Sequence, residues 1–140
     1  MIFLQPLSMK SWGRFLITVL VSFSLVLRFD FNLGAQIPPV QLVPHAQREY
    51  QLGNYTQAIH LLEQAQQAYQ NQPLQQAQVL ALTSLAQQQL GRWQPARKNI
   101  DASLALIESL SSSKSKTQVL GQIWNIQGHY YFSRDRKSVV

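Results

Sequence analysis

The apolar positions from Leu42 onward recur at helical spacing. Apolar residues three or four positions apart form a stripe on one face of a helix, whereas a half-buried strand needs strict alternation. Ala, Leu and Gln dominate this region, and all three are compatible with helices. The pattern therefore predicts an all-α fold. Four stripes carry the prediction: Ala58, Leu62, Ala65 and Tyr69; Val79, Leu82, Ala86 and Leu90; Ala96, Ile100, Leu104 and Ile107; Ile123, Ile126 and Tyr130.

Helix-breaking residues divide the region into five predicted helices. Pro38, Pro39 and Pro44 predict a spacer over residues 36–43, because proline lacks the amide hydrogen that a helix interior needs. Gly128 lies inside the last helix, where glycine is costly, which predicts close backbone packing at that position. The predicted helices run from about Pro44 to Leu52, from Tyr55 or Thr56, from Pro73 to Gly91, from Pro95 to the SSSKSK loop, and from Thr117 to about Ser133.

One short pattern occurs twice, 38 residues apart. A fixed offset of this size is typical of helical-repeat arrays. Each residue type suits a helix hairpin: glycine ends the first helix in a conformation that other residues resist, and the aromatic residue wedges between the two helices. Alanine lets the helices cross closely, and the larger residue fills the groove behind the crossing. The pairs are Gly53 and Gly91, Tyr55 and Trp93, Ala58 and Ala96, and Leu62 and Ile100.

These positions resemble the hairpin pattern of tetratricopeptide (TPR) repeats, Trp-x2-Leu-Gly-x2-Tyr followed by Gly-x-Tyr and Ala-x3-Phe. The resemblance divides the chain into units of about 44–72, 73–112 and an incomplete 117–134. The first unit supplies Gly53, Tyr55, Ala58, Leu62 and Ala65; the second supplies Gly91, Trp93, Ala96, Ile100 and Ser103; the third supplies Trp124, Gly128 and Tyr131. The unit length departs from the 34 residues of the family.

The TPR resemblance implies a solenoid of helix hairpins whose first helices line a concave groove for a peptide or a partner helix. Candidate groove residues are Arg48, Gln51, Gln87 and Gln88, together with Tyr131 of the third unit. A narrower resemblance is to the amino-terminal part of cyanobacterial-type proteins in which TPR repeats precede a caspase-like CHAT domain. It rests on an export signal, the Gln-rich stretch LAQQQLGRWQPARKNIDASLALIESL over residues 85–110 and the NIQGHYYF segment that follows it. These 140 residues contain no CHAT domain.

Residues 1–35 have the organisation of an export signal. Lys10 and Arg14 precede a short apolar stretch from Phe15 to Leu27, and Ala35 offers a cleavage point. A signal peptide carries an apolar core of about 7–15 residues, whereas a spanning helix needs about 20. We therefore expect export to a periplasm, a lumen or the extracellular space. The alternative is an uncleaved membrane anchor, since Leu33 stands where a small residue is preferred.

The last six residues raise a separate expectation. Asp135–Val140 can be back-translated as GAT CGG AAG AGC GTC GTG, which matches a widely used sequencing adapter. This match predicts that residues 135–140 are not native and that the natural gene continues past residue 134. The alternative is a basic disordered tail. An incomplete third repeat would leave the apolar residues of the fifth helix uncovered and predicts self-association.

Composition and residue spacing argue against nucleic-acid binding, metal binding and catalysis. The net charge of +6 falls to +3 over residues 36–134, which is too weak for a nucleic-acid interface. The chain has no cysteine, and His45, His60 and His129 lack metal-ligand spacing. No set of acid, base and nucleophile is in place, so we expect neither an enzyme nor a cofactor. Three functions stay open: an exported scaffold that binds proteins or peptides, the sensor arm of a larger CHAT protein, and a membrane-tethered assembly factor.

Overall fold

The computed structural model of the protein describes residues 37–138, which contain five α-helices and no strand. The all-α prediction is therefore confirmed for this part of the chain. The predicted signal peptide lies outside the described residues. Among residues 37–138, no helix is both long and apolar enough to span a bilayer. The helices are α1 (Pro39–Gln51), α2 (Tyr55–Ala68), α3 (Pro73–Gln89), α4 (Trp93–Glu108) and α5 (Lys114–Ser138).

Two helices, α1 and α4, begin earlier than the sequence predicts. Helix α1 begins at Pro39, so most of the predicted spacer over residues 36–43 is helical and Pro44 lies in the helix interior. The carbonyl group of Val40 loses its amide partner there, but Val40 is exposed and its carbonyl group can bond to water. Helix α4 begins at Trp93, before Pro95, because the first turn of a helix needs no amide donors.

Helix α5 is longer than predicted at both ends, beginning at Lys114 and reaching Ser138. The side-chain hydroxyl of Ser113 accepts a hydrogen bond from the backbone amide of Lys116 at 3.1 Å, which satisfies one free donor of the first turn. Residues 135–138 continue the helix, so the alternative of a disordered tail is wrong for these residues. A Cβ atom at Gly128 would meet nothing within 4 Å, so the expectation of close packing at Gly128 inside the described structure is wrong.

Both repeated glycines end a helix in the same way. Gly53 and Gly91 have φ angles of +82° and +68°. In each turn the glycine amide bonds back to the residue three positions before it, and the next amide bonds five positions back, from Asn54 to Glu49 and from Arg92 to Gln87, at 2.9 Å. These are the two bonds of a Schellman motif, which places its glycine in the left-handed region. The predicted role of these glycines is confirmed.

The repeated positions that follow each glycine are buried between helices. Ala58, Ala96 and Ile100 are fully buried and Leu62 nearly so, as the hairpin interpretation predicts. Ser103 is also fully buried and donates a hydrogen bond of 2.7 Å to the backbone carbonyl of Ala77, which ties α4 to α3.

The core consists of two clusters. The N-terminal cluster joins α1, α2 and one residue of α3, and the C-terminal cluster joins α3, α4 and α5. Helix α3 therefore contributes to both. The N-terminal cluster comprises Leu42, Ala46, Leu61, Leu62, Ala65 and Val79. The C-terminal cluster comprises Ala77, Ala81, Ala96, Ile100, Ile107, Val119, Ile123, Ile126 and Tyr130.

The helices pack mainly on their neighbours in the sequence. Extensive contacts join α1 with α2, α2 with α3, α3 with α4, and α4 with α5, and one further set joins α3 with α5. Helix α3 is thus flanked by α2, α4 and α5. This arrangement sets the surfaces of α1, α3 and α5 along one side of the described structure, where two cavities lie.

Candidate functional site

Two cavities share residues and together define one groove along α1, α3 and α5. The first has a volume of about 500 Å³ and lies between α1, α3 and α5. The second has a volume of about 320 Å³ and lies between α1, α2 and α3. Gln47 of α1 and Leu82 of α3 line both cavities. We call the combined surface the amide groove. Volumes of this size are typical of small-ligand and side-chain pockets.

The floor of the amide groove is apolar because it is the outer edge of the two core clusters. Ala81, Val119 and Ile126 line the first cavity and also belong to the C-terminal cluster. Leu62 and Ala46 line the second cavity and belong to the N-terminal cluster. An apolar floor that continues into a packed core is rigid, so it can receive apolar side chains with little rearrangement.

The rim of the amide groove is polar but uncharged. Its polar side chains are carboxamides, apart from the hydroxyl of Tyr50, and no lysine, arginine, aspartate or glutamate lines either cavity. A carboxamide both donates and accepts hydrogen bonds, which matches the amide and carbonyl groups of a peptide backbone. The carboxamides are Gln47 and Gln51 on α1, Gln78 on α3, and Gln118, Gln122 and Asn125 on α5.

Most of these carboxamides are available to a ligand. The side chain of Gln78 donates a long hydrogen bond of 3.4 Å to Gln122, across the groove from α3 to α5. Within residues 37–138, Gln47, Gln51, Gln118 and Asn125 make no side-chain hydrogen bond, and all four are exposed. A polar group that bonds only to water can exchange that bond for one to a ligand at small cost.

Tyr50 lies at the end of the groove near α2. Its ring packs edge-on against Tyr55, with 5.3 Å between the ring centroids, and its hydroxyl accepts a hydrogen bond of 3.1 Å from Gln89. Burial raises the pKa of Tyr50 above its ordinary value, and the Gln89 bond only partly offsets this effect. The hydroxyl is therefore protonated at neutral pH and can donate a hydrogen bond into the groove.

Of the groove residues predicted from the sequence, the structure places only Gln51 in the amide groove and the others elsewhere. Gln87 is bonded to Asn99 of α4 at 3.0 Å, on another side of α3, and Gln88 is 2% exposed. Arg48 is exposed and lines neither cavity. Tyr131 also lines neither cavity, and its hydroxyl accepts a hydrogen bond from Arg97 of α4.

Gln88 belongs to a buried polar network instead of the groove. Its amide nitrogen donates to the hydroxyl of Ser84 at 3.2 Å and to the carbonyl of Ile126 at 3.4 Å. Its amide oxygen lies 2.8 Å from Nδ1 of His129. These bonds satisfy the buried amide and link α3 to α5.

Sequence reasoning missed Gln47, Gln78, Gln118, Gln122 and Asn125. The sequence contained a usable signal for some of the groove glutamines. Gln47, Gln51 and Gln78 are glutamines on first helices of predicted hairpins, beside the buried positions Ala46 and Val79. The chain has many glutamines, and the rotation of each helix about its axis decides which of them face the groove. Packing between helices fixes this rotation, so the sequence alone does not show it.

The histidines are dispersed. His129 joins the Gln88 network, whereas His60 lies on the exposed side of α2, with its Nε2 3.0 Å from the side chain of Gln64. Within the described residues, no group of three or more His, Asp or Glu side chains is arranged to hold a metal ion.

No protein-family model, curated protein or solved structure matches this chain. The functional assignment therefore depends on the geometry of the groove and on the repeated positions within the chain itself.

Proposed function

We propose that this protein is an exported helical-repeat scaffold, similar to TPR proteins, whose amide groove binds an extended peptide segment of another protein. The observation that carries the proposal is the groove itself, with an apolar floor and a rim of carboxamides on α1, α3 and α5, four of which make no side-chain hydrogen bond within the described chain. Such a rim suits the main chain of an extended peptide, and the floor suits its apolar side chains.

The repeated hairpin supports the repeat interpretation. Residues 38 positions apart occupy the same structural roles: the glycines form the same turn and the alanines at Ala58 and Ala96 are both fully buried. Helix contacts run mainly between sequence neighbours, which is typical of arrays that stack one unit on the next.

The uncharged rim narrows the class of peptide. Recognition of an acidic or basic peptide would require opposite charges at the site. Since no charged side chain lines either cavity, we expect ligands without net charge and an affinity that changes little with salt.

The test is a selection of peptides from a random library displayed on phage, with the full chain as the target. We expect enriched peptides that carry apolar residues and no net charge, with binding that changes less than about twofold between low and high salt. Gln122→Arg places a bulky charge on the rim of the first cavity. It should weaken peptide binding at least about tenfold, because the peptide would lose one or two hydrogen bonds at this position. Gln67→Arg is the matched control, because Gln67 is an exposed glutamine of α2 outside the groove.

Two results would contradict the proposal. Enrichment of acidic or basic peptides would show that recognition lies elsewhere on the surface. Equal affinity of the Gln122→Arg and Gln67→Arg variants would show that the groove is not the binding site.

A further inference from the structure

The two cavities of the amide groove differ in the side chains that line them. Five carboxamides line the first cavity, whereas the second is walled mainly by alanine and leucine side chains. The first cavity therefore suits the main chain of a bound peptide, and the second suits one of its side chains. The apolar residues of the second cavity are Ala46, Ala58, Leu62, Leu82, Leu85 and Ala86.

The second cavity is open because three of its lining residues are alanines. Ala46 of α1, Ala58 of α2 and Ala86 of α3 each end at the Cβ atom, which leaves space where the three helices meet. All three alanines are held in the packed interior, so the walls of the cavity are fixed before any ligand binds. A preformed apolar cavity binds a matching side chain without the entropy cost of ordering a flexible site.

The volume of the second cavity, about 320 Å³, indicates the size of side chain that it can hold. An engineered apolar cavity of about 150 Å³ is known to bind one benzene molecule, so about twice that volume has room for a two-ring side chain. A leucine or valine side chain would leave part of the space empty, and the atoms around an unfilled space lose dispersion contacts. The size therefore favours tryptophan, which has the largest side chain.

The polar side chains of the second cavity all come from α1. Gln47, Tyr50 and Gln51 lie three and four residues apart, so they share one face of that helix. Gln47 and Gln51 make no side-chain hydrogen bond within residues 37–138, and the amide oxygen of either can accept one. An indole ring has one N–H donor and no acceptor. It matches a cavity with apolar walls and hydrogen-bond acceptors along one edge.

Tyr50 supplies a donor on the same edge. Its hydroxyl accepts a hydrogen bond from Gln89 at 3.1 Å, and among the described residues its own proton has no acceptor. The hydroxyl can therefore donate to the main-chain carbonyl group of the residue whose side chain fills the cavity. The indole ring and the main chain of one tryptophan residue would thus both find partners on α1.

We propose that the second cavity holds the side chain of a tryptophan residue and so anchors a neutral peptide in the amide groove. This inference rests on the proposed function, because it names the side chain that the bound peptide carries. The rest of the peptide lies along the carboxamides of the first cavity, which shares Gln47 and Leu82 with the second. Arginine and lysine, the other long side chains, would lose the hydration of their charge, and no carboxylate lines the cavity to replace it.

A pair of model compounds tests the anchor without knowledge of the peptide sequence. N-acetyltryptophanamide carries an indole ring between two peptide groups, and N-acetylleucinamide carries a smaller side chain on the same main chain. Each is titrated into the ¹⁵N-labelled full chain, and the NMR signals of the Gln47 and Gln51 side-chain amides report binding at the second cavity. We expect the tryptophan compound to bind at least about tenfold more tightly, because it removes more apolar surface from water.

A variant that fills the cavity shows whether the compound binds there. Gln51→Trp adds an indole ring at the edge of the second cavity, and the fold should tolerate it because Gln51 is exposed. It should weaken binding of N-acetyltryptophanamide at least about tenfold, since the space is already occupied. Gln41→Trp is the matched control, because Gln41 is an exposed glutamine of the same helix that lines neither cavity. Circular dichroism confirms that both variants are folded.

Three results would overturn the tryptophan anchor. These are equal affinity for the two compounds, equal affinity of the two variants for N-acetyltryptophanamide, and no binding of that compound at concentrations up to about 10 mM. Failure of the proposed function is recognised separately, by selected peptides that bind equally to Gln122→Arg and Gln67→Arg. Selected peptides that distinguish those two variants but carry no enriched tryptophan would leave the groove as the binding site and show that only the anchor is wrong.

Discussion

Gly91 and Gly121 are both glycines, but only Gly91 has a backbone conformation that requires one. Gly91 has a φ angle of +68° in the turn after α3, where any side chain is strained. Gly121 lies in a regular turn of α5, and a Cβ atom there would meet nothing within 4 Å. Gly91→Ala should therefore lower the free energy of unfolding by about 1–2 kcal/mol. Gly121→Ala should raise it by about 0.5–1 kcal/mol, because alanine favours the helix.

Urea unfolding of the two variants measures both changes. The comparison is sharp because the chemical change is the same and only the backbone conformation differs. A loss of stability in both variants would mean that Gly121 has a packing role that the structure does not show.

Tyr50 predicts a dependence of stability on alkaline pH. Burial raises the pKa of its hydroxyl above the ordinary value of 10.0. Below that value the hydroxyl is protonated in the folded and the unfolded chain, so it contributes no pH dependence. As the pH rises further, the unfolded chain releases the proton first, and the free energy of unfolding falls.

The measurement is urea unfolding at pH values from about 8 to 11 for the native chain and for Tyr50→Phe. Phenylalanine keeps the ring contact with Tyr55 but cannot ionise, so its stability should fall less steeply at the alkaline end. Parallel curves for the two proteins would show that Tyr50 ionises equally easily in both states.

Sequence periodicity identified part of the buried apolar core, but it missed residues such as Leu61, Leu80 and Ala81, wrongly included the exposed Leu90, and failed for the polar residues of α3. The stripe Val79, Leu82 and Ala86 correctly marked a helix, yet Thr83, Ser84 and Gln88 are also buried. Helix α3 is flanked by α2, α4 and α5, so little of its surface remains for solvent. The Thr83 hydroxyl is satisfied within the helix, where it donates to the Val79 carbonyl at 2.9 Å, whereas Gln88 also bonds to Ile126 and His129 of α5. No single-helix pattern could show which glutamines would find such partners.

At the scale of the helix, the crossing within each hairpin depends on one small residue. Ala96 is fully buried between α3 and α4, whereas Ala105 of the same helix α4 is exposed. Ala96→Leu should lower the free energy of unfolding by about 1–3 kcal/mol, because the added atoms would force the helices apart. Ala105→Leu should change it by less than about 0.5 kcal/mol. Thermal or urea unfolding of the two variants gives the comparison.

A small effect of Ala96→Leu would mean that α3 and α4 can move apart without a loss of stability. It would remove the main physical reason for the recurrence of alanine 38 residues apart. The same substitution at Ala58 provides an independent check in the first hairpin, since Ala58 is also fully buried.

Helix boundaries were predictable where glycine sets them and less so where proline does. Gly53 and Gly91 require a backbone conformation that ends a helix, so the ends of α1 and α3 were correctly placed. Pro44 removes one hydrogen bond, but it lies on the exposed side of a helix whose Leu42 and Ala46 are buried against α2. The packing of that face outweighs the lost bond, and sequence alone could not weigh one against the other.

At the scale of the whole molecule, α3 connects two cores that otherwise share no helix. Its Val79 belongs to the N-terminal cluster, and its Ala77 and Ala81 belong to the C-terminal cluster. In a linear array, stability is a sum of local units and their interfaces, so damage to one cluster should stay near it. In a compact bundle, by contrast, any loss of core packing weakens all helices together.

Hydrogen exchange of two core variants of the full chain distinguishes these cases. Ile123→Ala removes a fully buried side chain of α5, and Leu62→Ala removes one of α2. Each should cost about 2–5 kcal/mol because a cavity remains. We expect Ile123→Ala to speed exchange mainly in α4 and α5, and Leu62→Ala mainly in α1 and α2, with α3 the most protected helix in both.

Uniform acceleration in both variants would show a single cooperative unit and contradict the repeat proposal. Local acceleration would have a consequence for the amide groove, which spans both clusters through Leu82 of α3. A peptide that lies along the whole groove would contact units that open independently. Its binding should then slow exchange in α1 and α5 together, and this joint protection would show occupation of both cavities.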